Sequence, residues 1–538
     1  MTPLLLAAGP VLLVAGLFLF PYARNILRAL PALGPLLASG RANGVLGYTL
    51  AQAALSTLLS LALGVPAAWI LSATRGPLRA AGRALGAIPF ALPPILLVLG
   101  FVLFFGNAGH LNRLLALVLG RDSGPLQILY NRGTVVLAHA FYNFPLVLLL
   151  VGDRFTRIRE SLAARVWSLG ARPASAFFTV FFPLALPAIL AAGLLVFLYC
   201  ATSFAVVLVL GGGPGATTLA VEIYRNAKIT LDGDRAAALA SLEIAISLFA
   251  YLLYARADRL SARAALSLPR SEEGLAPPKK TGLANLLFIS MLSLFILGPL
   301  VSIPLESLLA RKGRAGDLFV SLKWWQEGVS GFLPAAGRSL ILALSSSIAS
   351  LLIAIPAAGV TWLSGSRSRL SRLVSFTCLL PIISSGIVLS QAWLDIFGAR
   401  RSSPLILIAL LQALGALPFA FRAVQGSLAS QGDGLRAQAL SLGAHPLAAF
   451  LTVGLPAAGA GIRSAFAFSM AICLGELGIV LMLANDAFVT LPVWIYRATS
   501  SYRFGSACAA GSLLMALCAL AFVFSQYQPK EAPPVPRT

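Results

Sequence analysis

Charge is what this sequence has least of. Asp, Glu, Lys and Arg make up 11% of its 538 residues, against 58% hydrophobic residues and a mean hydropathy of +0.88. A soluble chain of that length could not cover its surface with so few charges. Histidine is scarcer still. His110, His139 and His445 stand far apart, and no His/Asp/Glu or Ser/Lys constellation at catalytic spacing accompanies them, which argues against an enzyme. Cys200, Cys378, Cys473, Cys508 and Cys518 lie within apolar runs and form no CxxC or Cys/His cluster, so neither a disulfide framework nor a metal site is expected. The glycine-rich stretch LGGGPGATT, Leu210 to Thr218, lacks the Lys of a phosphate-cradling loop. No cofactor is expected. Lys and Arg outnumber Asp and Glu 40 to 18, but they sit in short clusters such as Arg75/Arg79/Arg83 and Arg367/Arg369/Arg372. These read as anchors beside anionic lipid headgroups, not as a nucleic-acid groove.

What fills the chain instead is apolar runs of about 20 residues, each enough to cross a ~30 Å hydrocarbon core as helix. Cutting at loop signals predicts twelve helices near 4–22, 46–73, 84–106, 133–152, 184–212, 236–256, 283–305, 338–364, 373–397, 404–422, 457–484 and 505–526. The first lacks a basic leader region and reads as a retained span. The most polar long connection, 258–282, contains PRSEEGLAPPKKTG and reads as a linker.

The stretches on either side of that linker repeat each other. SLGARPASAFFTVFFP (Ser168–Pro183) and SLGAHPLAAFLTVGLP (Ser441–Pro456) lie 273 residues apart in register. ALSTLLSLALGVPAA, ending at Ala68, matches ALSSSIASLLIAIPAA, ending at Ala358. The chain therefore divides into a first unit at 1–257, a linker at 258–282 and a second unit at 283–538. An even number of spans per unit gives both the same orientation, as parallel repeats with a route between them. Each unit carries a polar segment between its fourth and fifth helices, 153–183 and 424–456. In each, a helix-like run ends at a Gly followed by a Pro, a turn that stops the helix. Two copies in register suit a paired docking surface for a two-fold symmetric partner. A secondary transporter driven by an ion gradient would instead call for charges inside the membrane in both halves and no duplicated surface knobs.

These segments resemble the coupling ("EAA") loops of ABC-importer permeases, whose pattern is E-A-A-x-x-x-G followed by a terminal Pro. The matching residues are Gly170 and Gly443, with Pro183 and Pro456; Ala164 and Ala437 stand where the family has Glu, with Glu160 and Asp433 one turn earlier. The resemblance implies the all-α type I importer-permease fold, with ATPase coupling through Ser168, Leu169, Gly170, Pro173, Ser441, Leu442, Gly443 and Pro446. It also implies two copies of a cytoplasmic ABC ATPase, a periplasmic or lipid-anchored substrate-binding protein, surrounding membrane lipid, and a place in the bacterial cytoplasmic (inner) membrane. Both termini are then expected in the cytoplasm. SFAVVLVLGGGPGATTLAVEIYR and LGELGIVLMLANDAFVTLPVWIYRATSSYR are similar to stretches of the fused thiamine or thiamine-phosphate permeases, with fused ferric-iron permeases as the alternative.

Glu476, in AICLGELGIVLML, is the most informative acid. A carboxylate at mid-membrane costs roughly 2.5–3.5 kcal/mol on insertion scales and usually faces a cavity or a partner. Its counterpart by the 273 offset is Ser203. With Phe204 and Phe468 they are the candidate substrate path, and Tyr199 and Phe466 add aromatic faces. The alternative is a carboxylate satisfied by neighbouring Ser, backbone or water. Glu243 reads as structural. Gly212, Gly213, Asn485 and Asp486 form turns at matching places and are the candidate contacts for a delivery protein.

Overall fold

The computed structural model describes residues 2–74, 77–121, 123–211, 213–266, 283–311, 318–365, 368–397, 405–485 and 487–526. Arg75, Gly212, Arg367, Asp486 and the linker from 267 to 282 lie outside them.

Among the described residues, ten continuous helices are long and apolar enough to cross a membrane, and two bent helix pairs raise the number to twelve. In the first half the spans are Pro3–Ala38, Gly40–Ala73, Pro94–Leu119, Arg132–Ser168, Pro173–Ala201 and Gly233–Ala264. The helix Pro77–Ala91 leads into the third across a break at Leu92–Pro93. In the second half they are Leu286–Ser307, Lys323–Ser364, the pair Arg369–Ile383 and Gly386–Phe397 bent by 92°, Leu405–Ser430, the pair Pro446–Ala457 and Gly459–Leu474 bent by 70°, and Phe504–Phe524. The expected helices all overlap these spans. The sixth helix continues to Leu266, past the expected unit boundary at 257. A two-stranded hairpin, β1 (Leu309–Arg311) with β2 (Leu318–Val320), joins spans seven and eight, whereas Ser39 alone separates spans one and two.

The repeat extends to individual bonds. The short helices Leu219–Tyr224 and Leu491–Ser500 each begin on a hydroxyl from the second span of their own half. Leu219 N–H donates to Thr49 Oγ1 at 3.0 Å and Leu491 N–H to Ser339 Oγ at 2.7 Å. Wide π-turns occupy Phe177–Phe181 and Phe450–Gly454, again 273 apart, and a third lies at Ala15–Leu19. These three end two residues before a proline, Pro183, Pro456 and Pro21, whereas a fourth, Arg225–Ile229, is followed by Leu231 at that place. Proline lacks the N–H that would close an ordinary turn, and its ring crowds the carbonyl four residues back. Widening the turn relieves that crowding, and in the two later cases a threonine hydroxyl (Thr179 to Ser175 O, 2.8 Å; Thr452 to Ala448 O, 2.7 Å) occupies a local carbonyl.

Candidate functional site

Four helix breaks meet between the two halves. The expected helix over 184–212 is interrupted after Ala201 and resumes at Ala205; the one over 457–484 is interrupted after Leu474 and resumes at Gly478. These breaks, Thr202–Phe204 and Gly475–Leu477, are related by the 273 offset. The other two are Leu92–Pro93 and Ser384–Ser385. Gly475 packs against Pro93 so closely that a Cβ there would sit 2.6 Å from the Pro93 Cβ, and only glycine fits that crossing.

The breaks enclose a cavity of about 300 Å³, at the lower end of the ~300–1,000 Å³ typical of small-molecule sites. Glu476, Ser203, Phe204 and Phe468, the four path residues expected from sequence, all line it, as does Tyr199. Phe466 does not; its ring packs on Phe524 at 6.0 Å. Glu476 is half-buried. Its Oε1 accepts the Ile479 N–H at 2.9 Å, so the carboxylate caps the helix that restarts at Gly478 while standing on the cavity wall. Glu476 thus lines the cavity and also has a local backbone partner.

Sequence reasoning missed His139, Tyr142, Asn143, Ser385 and Phe419, which also line the cavity. His139 has no ligand-spaced partner in the sequence to single it out. Its Nδ1 is 2.9 Å from Gln52 Oε1, and Gln52 donates on to Cys200 O at 2.8 Å, which fixes the ring's orientation. At the 273 offset the second half has Gln412, Gly415 and Ala416 where the first has His139, Tyr142 and Asn143, and Ile472 where it has Tyr199. The first half thus contributes aromatic and neutral-polar groups to the lining, and the second half contributes Phe419, Phe468 and the carboxylate. A carboxylate and several aromatic rings lining one cavity are chemistry suited to a cation.

At one end of the molecule lie the duplicated segments. Gly170 and Gly443 have φ +73° and +81°, the left-handed conformation that ends a helix without steric cost when no Cβ is present. Leu169 and Leu442, just before them, are 86% and 87% exposed, more than any other large apolar residue described. Pro173 and Pro446 each begin the next helix. The segments differ in one respect. The first is the tail of the unbroken 37-residue helix Arg132–Ser168, not the separate short helix expected; the second, Gly432–Ser441, is split from its span at Gln431. Glu160 stands 3.9 Å from Arg79 on the helix preceding span three, so this acid braces the segment from within the chain. At the opposite end, Gly213 and Asn485 are exposed in turns; Gly213 has φ +127°, and Asn485 Oδ1 accepts the Phe488 N–H at 2.8 Å. Their expected partners Gly212 and Asp486 lie outside the described residues.

Residues 42–263 match the family of binding-protein-dependent transport system inner membrane components. The chain is 29% identical over 484 residues to the thiamine transport system permease protein ThiP of Brucella abortus (strain 2308), covering 88% of this chain and 85% of that protein. It is 27% identical over 498 residues to ThiP of Escherichia coli (strain K12), covering 90% and 89%. With the molybdenum transport system permease protein ModB of Azotobacter vinelandii it shares 38% identity over 183 residues, 33% of this chain and 76% of that protein. The chain therefore belongs to this family: it is a multi-pass inner-membrane permease of an ABC importer, not an enzyme, and ATP hydrolysis in the family belongs to a separate subunit.

Proposed function

We propose that this permease passes thiamine or a thiamine phosphate ester through the cavity between its halves. The observation that carries the reading is that Glu476 lines one cavity together with Tyr142, Tyr199 and Phe204. Thiamine's thiazolium ring is a permanent cation, and a cation over an aromatic face gains about 0.5–2 kcal/mol depending on desolvation. The phosphate of an ester would be repelled by the Glu476 carboxylate, so the thiazolium is the part of the substrate placed beside it. The full-length similarity to the thiamine permeases supports the same substrate.

Energy coupling would run through Ser168, Leu169, Gly170 and Pro173 in one half and Ser441, Leu442, Gly443 and Pro446 in the other, one ATPase subunit on each. Leu169 and Leu442, exposed beside a sharp turn, are apolar knobs of the kind that fill a partner's cleft. The segments then face the cytoplasm, as do both termini, and the delivery protein docks at the other end, where Gly213 and Asn485 lie. The test is reconstitution in proteoliposomes with the cognate ATPase and binding protein. ATP-dependent accumulation of labelled thiamine supports the reading, and its absence with an intact, ATP-hydrolysing complex removes the substrate assignment. Cysteines at Gly213 and Ser441 should be labelled by an impermeant reagent from opposite sides, periplasmic and cytoplasmic; the reverse pattern overturns the orientation.

A further inference from the structure

The seam where the first and sixth spans meet the ninth holds a carboxylate that the path above does not use. Glu243 is 2% exposed, and neither of its oxygens has a partner in hydrogen-bond geometry among the described residues. Its polar neighbours include the hydroxyls of Ser385 and Tyr22. Tyr22 is hydrogen-bonded to Ser384 Oγ, and Ser385 Oγ accepts the Val388 N–H at 3.2 Å. Ten residues into the helix that starts at Gly233, Glu243 lies about 15 Å from that end, well inside the apolar span.

The architecture does not require an acid here. Aligning Gly233 with Gly505 puts Met515 at the equivalent place in the second half, packed among apolar neighbours. Replacing a buried charge by an apolar residue of similar size is commonly neutral or stabilising, so a purely structural position would lose nothing by resembling its mate.

Ser385 and Gly386 connect this acid to the cavity. Both line it, and a Cβ on Gly386 would stand 3.0 Å from Glu476 Oε1. Successive residues of one break therefore face two carboxylates: Ser385 faces Glu243 from the first half, and Gly386 faces Glu476 from the second. The geometry points to a second cation position at the Ser384–Gly386 break, where Glu243 takes an organic cation such as a thiazolium as it leaves Glu476. This inference rests on the cation reading of the cavity.

Two measurements test it, both in the reconstituted complex with ATPase and binding protein. The first is uptake of thiamine at limiting concentration by Glu243→Gln, which removes charge with little change of shape. The second uses Ser385→Cys in a background whose five cysteines are replaced by alanine. It compares the thiol's reaction with a quaternary-ammonium methanethiosulfonate and with neutral methyl methanethiosulfonate. Adding Glu243→Gln should lower the cationic-to-neutral rate ratio about tenfold, the worth of one charge-assisted contact, and uptake by a similar factor. An unchanged ratio overturns the proposal, whether uptake falls or not, because a structural acid would not select for charge at Ser385. A reduced ratio in a complex whose wild type takes up no thiamine leaves the cation position standing and removes the substrate assignment instead.

Discussion

The two seams between the halves are related by the internal repeat and are built from opposite chemistry. In one, the first and sixth spans pack on the ninth, and the contacts are polar. Tyr22 bonds Ser384, Trp393 Nε1 donates to Leu17 O at 3.0 Å, Arg28 pairs with Asp395 at 3.0 Å, and Glu243 is buried. In the other, the seventh and twelfth spans pack on the third, and the contacts are close and apolar. Gly100 lies against the Pro299 carbonyl, Gly298 against the Phe104 ring, Gly511 against Leu96, Leu99 and Ile303, and Phe105 on Phe295 at 5.8 Å. One polar contact is also found there, His110 with Glu306 at 3.5 Å. A duplicated unit keeps its packing geometry while its side chains diverge. The apolar seam depends on volume, since a packed interior does not deform gradually. The polar seam depends on partners that can be exchanged, and both the cavity acid Glu476 and Glu243 border it.

Mutations can break that contrast in graded steps. The largest effect belongs to the apolar seam: Gly100→Val drives a Cβ into the Pro299 carbonyl and should destabilise the protein by about 3 kcal/mol, the upper part of the overpacking range. Thermal unfolding in detergent reads this directly, and a melting temperature unchanged from wild type would show that the seam yields. Next come Gly170→Val and Gly443→Val, which force a β-branched residue into the left-handed region at a cost of about 1–3 kcal/mol. That strain is confined to the docking segments, so the expected result is a folded permease that no longer co-purifies with its ATPase. Because the second segment is split from its span at Gln431 and the first is not, Gly170→Val should also disturb span four, visible as the lower melting temperature of the two. The smallest effect belongs to the polar seam. Arg28 is 41% exposed and Asp395 13%, so Arg28→Ala should cost no more than about 1 kcal/mol, detectable only as a small shift in the unfolding curve. An Arg28→Ala penalty as large as that of Gly100→Val would erase the distinction between the seams.

Much of this was legible in the sequence. The spans, the repeat, the glycines at 170 and 443 and the position of Glu476 follow from periodicity and an exact offset. The breaks at Thr202–Phe204 and Gly475–Leu477 were not legible, because the few polar or small residues there, Thr202, Ser203, Gly475 and Glu476, are also tolerated inside a continuous apolar helix. They form where helices from both halves converge, a tertiary cause that leaves no proline at the site. Glu243 reads as structural and His139 does not stand out, because a lone polar group in an apolar helix looks the same whether it faces a cavity or a neighbour. A paired exchange was equally hidden: Arg41 bonds Glu222 at 3.0 Å in the first half, while Gly331 accommodates the Trp494 indole at the matching place in the second.

The central claim is that Glu476 serves the passage of a cation and not only the capping of a helix. Glu476→Gln separates these roles, because the amide keeps an oxygen for the Ile479 N–H while losing the charge. In proteoliposomes holding the full complex, uptake at limiting thiamine should fall about tenfold, with ATPase association, delivery-protein affinity and melting temperature unchanged. Wild-type uptake by Glu476→Gln would contradict the account and leave this carboxylate a helix cap.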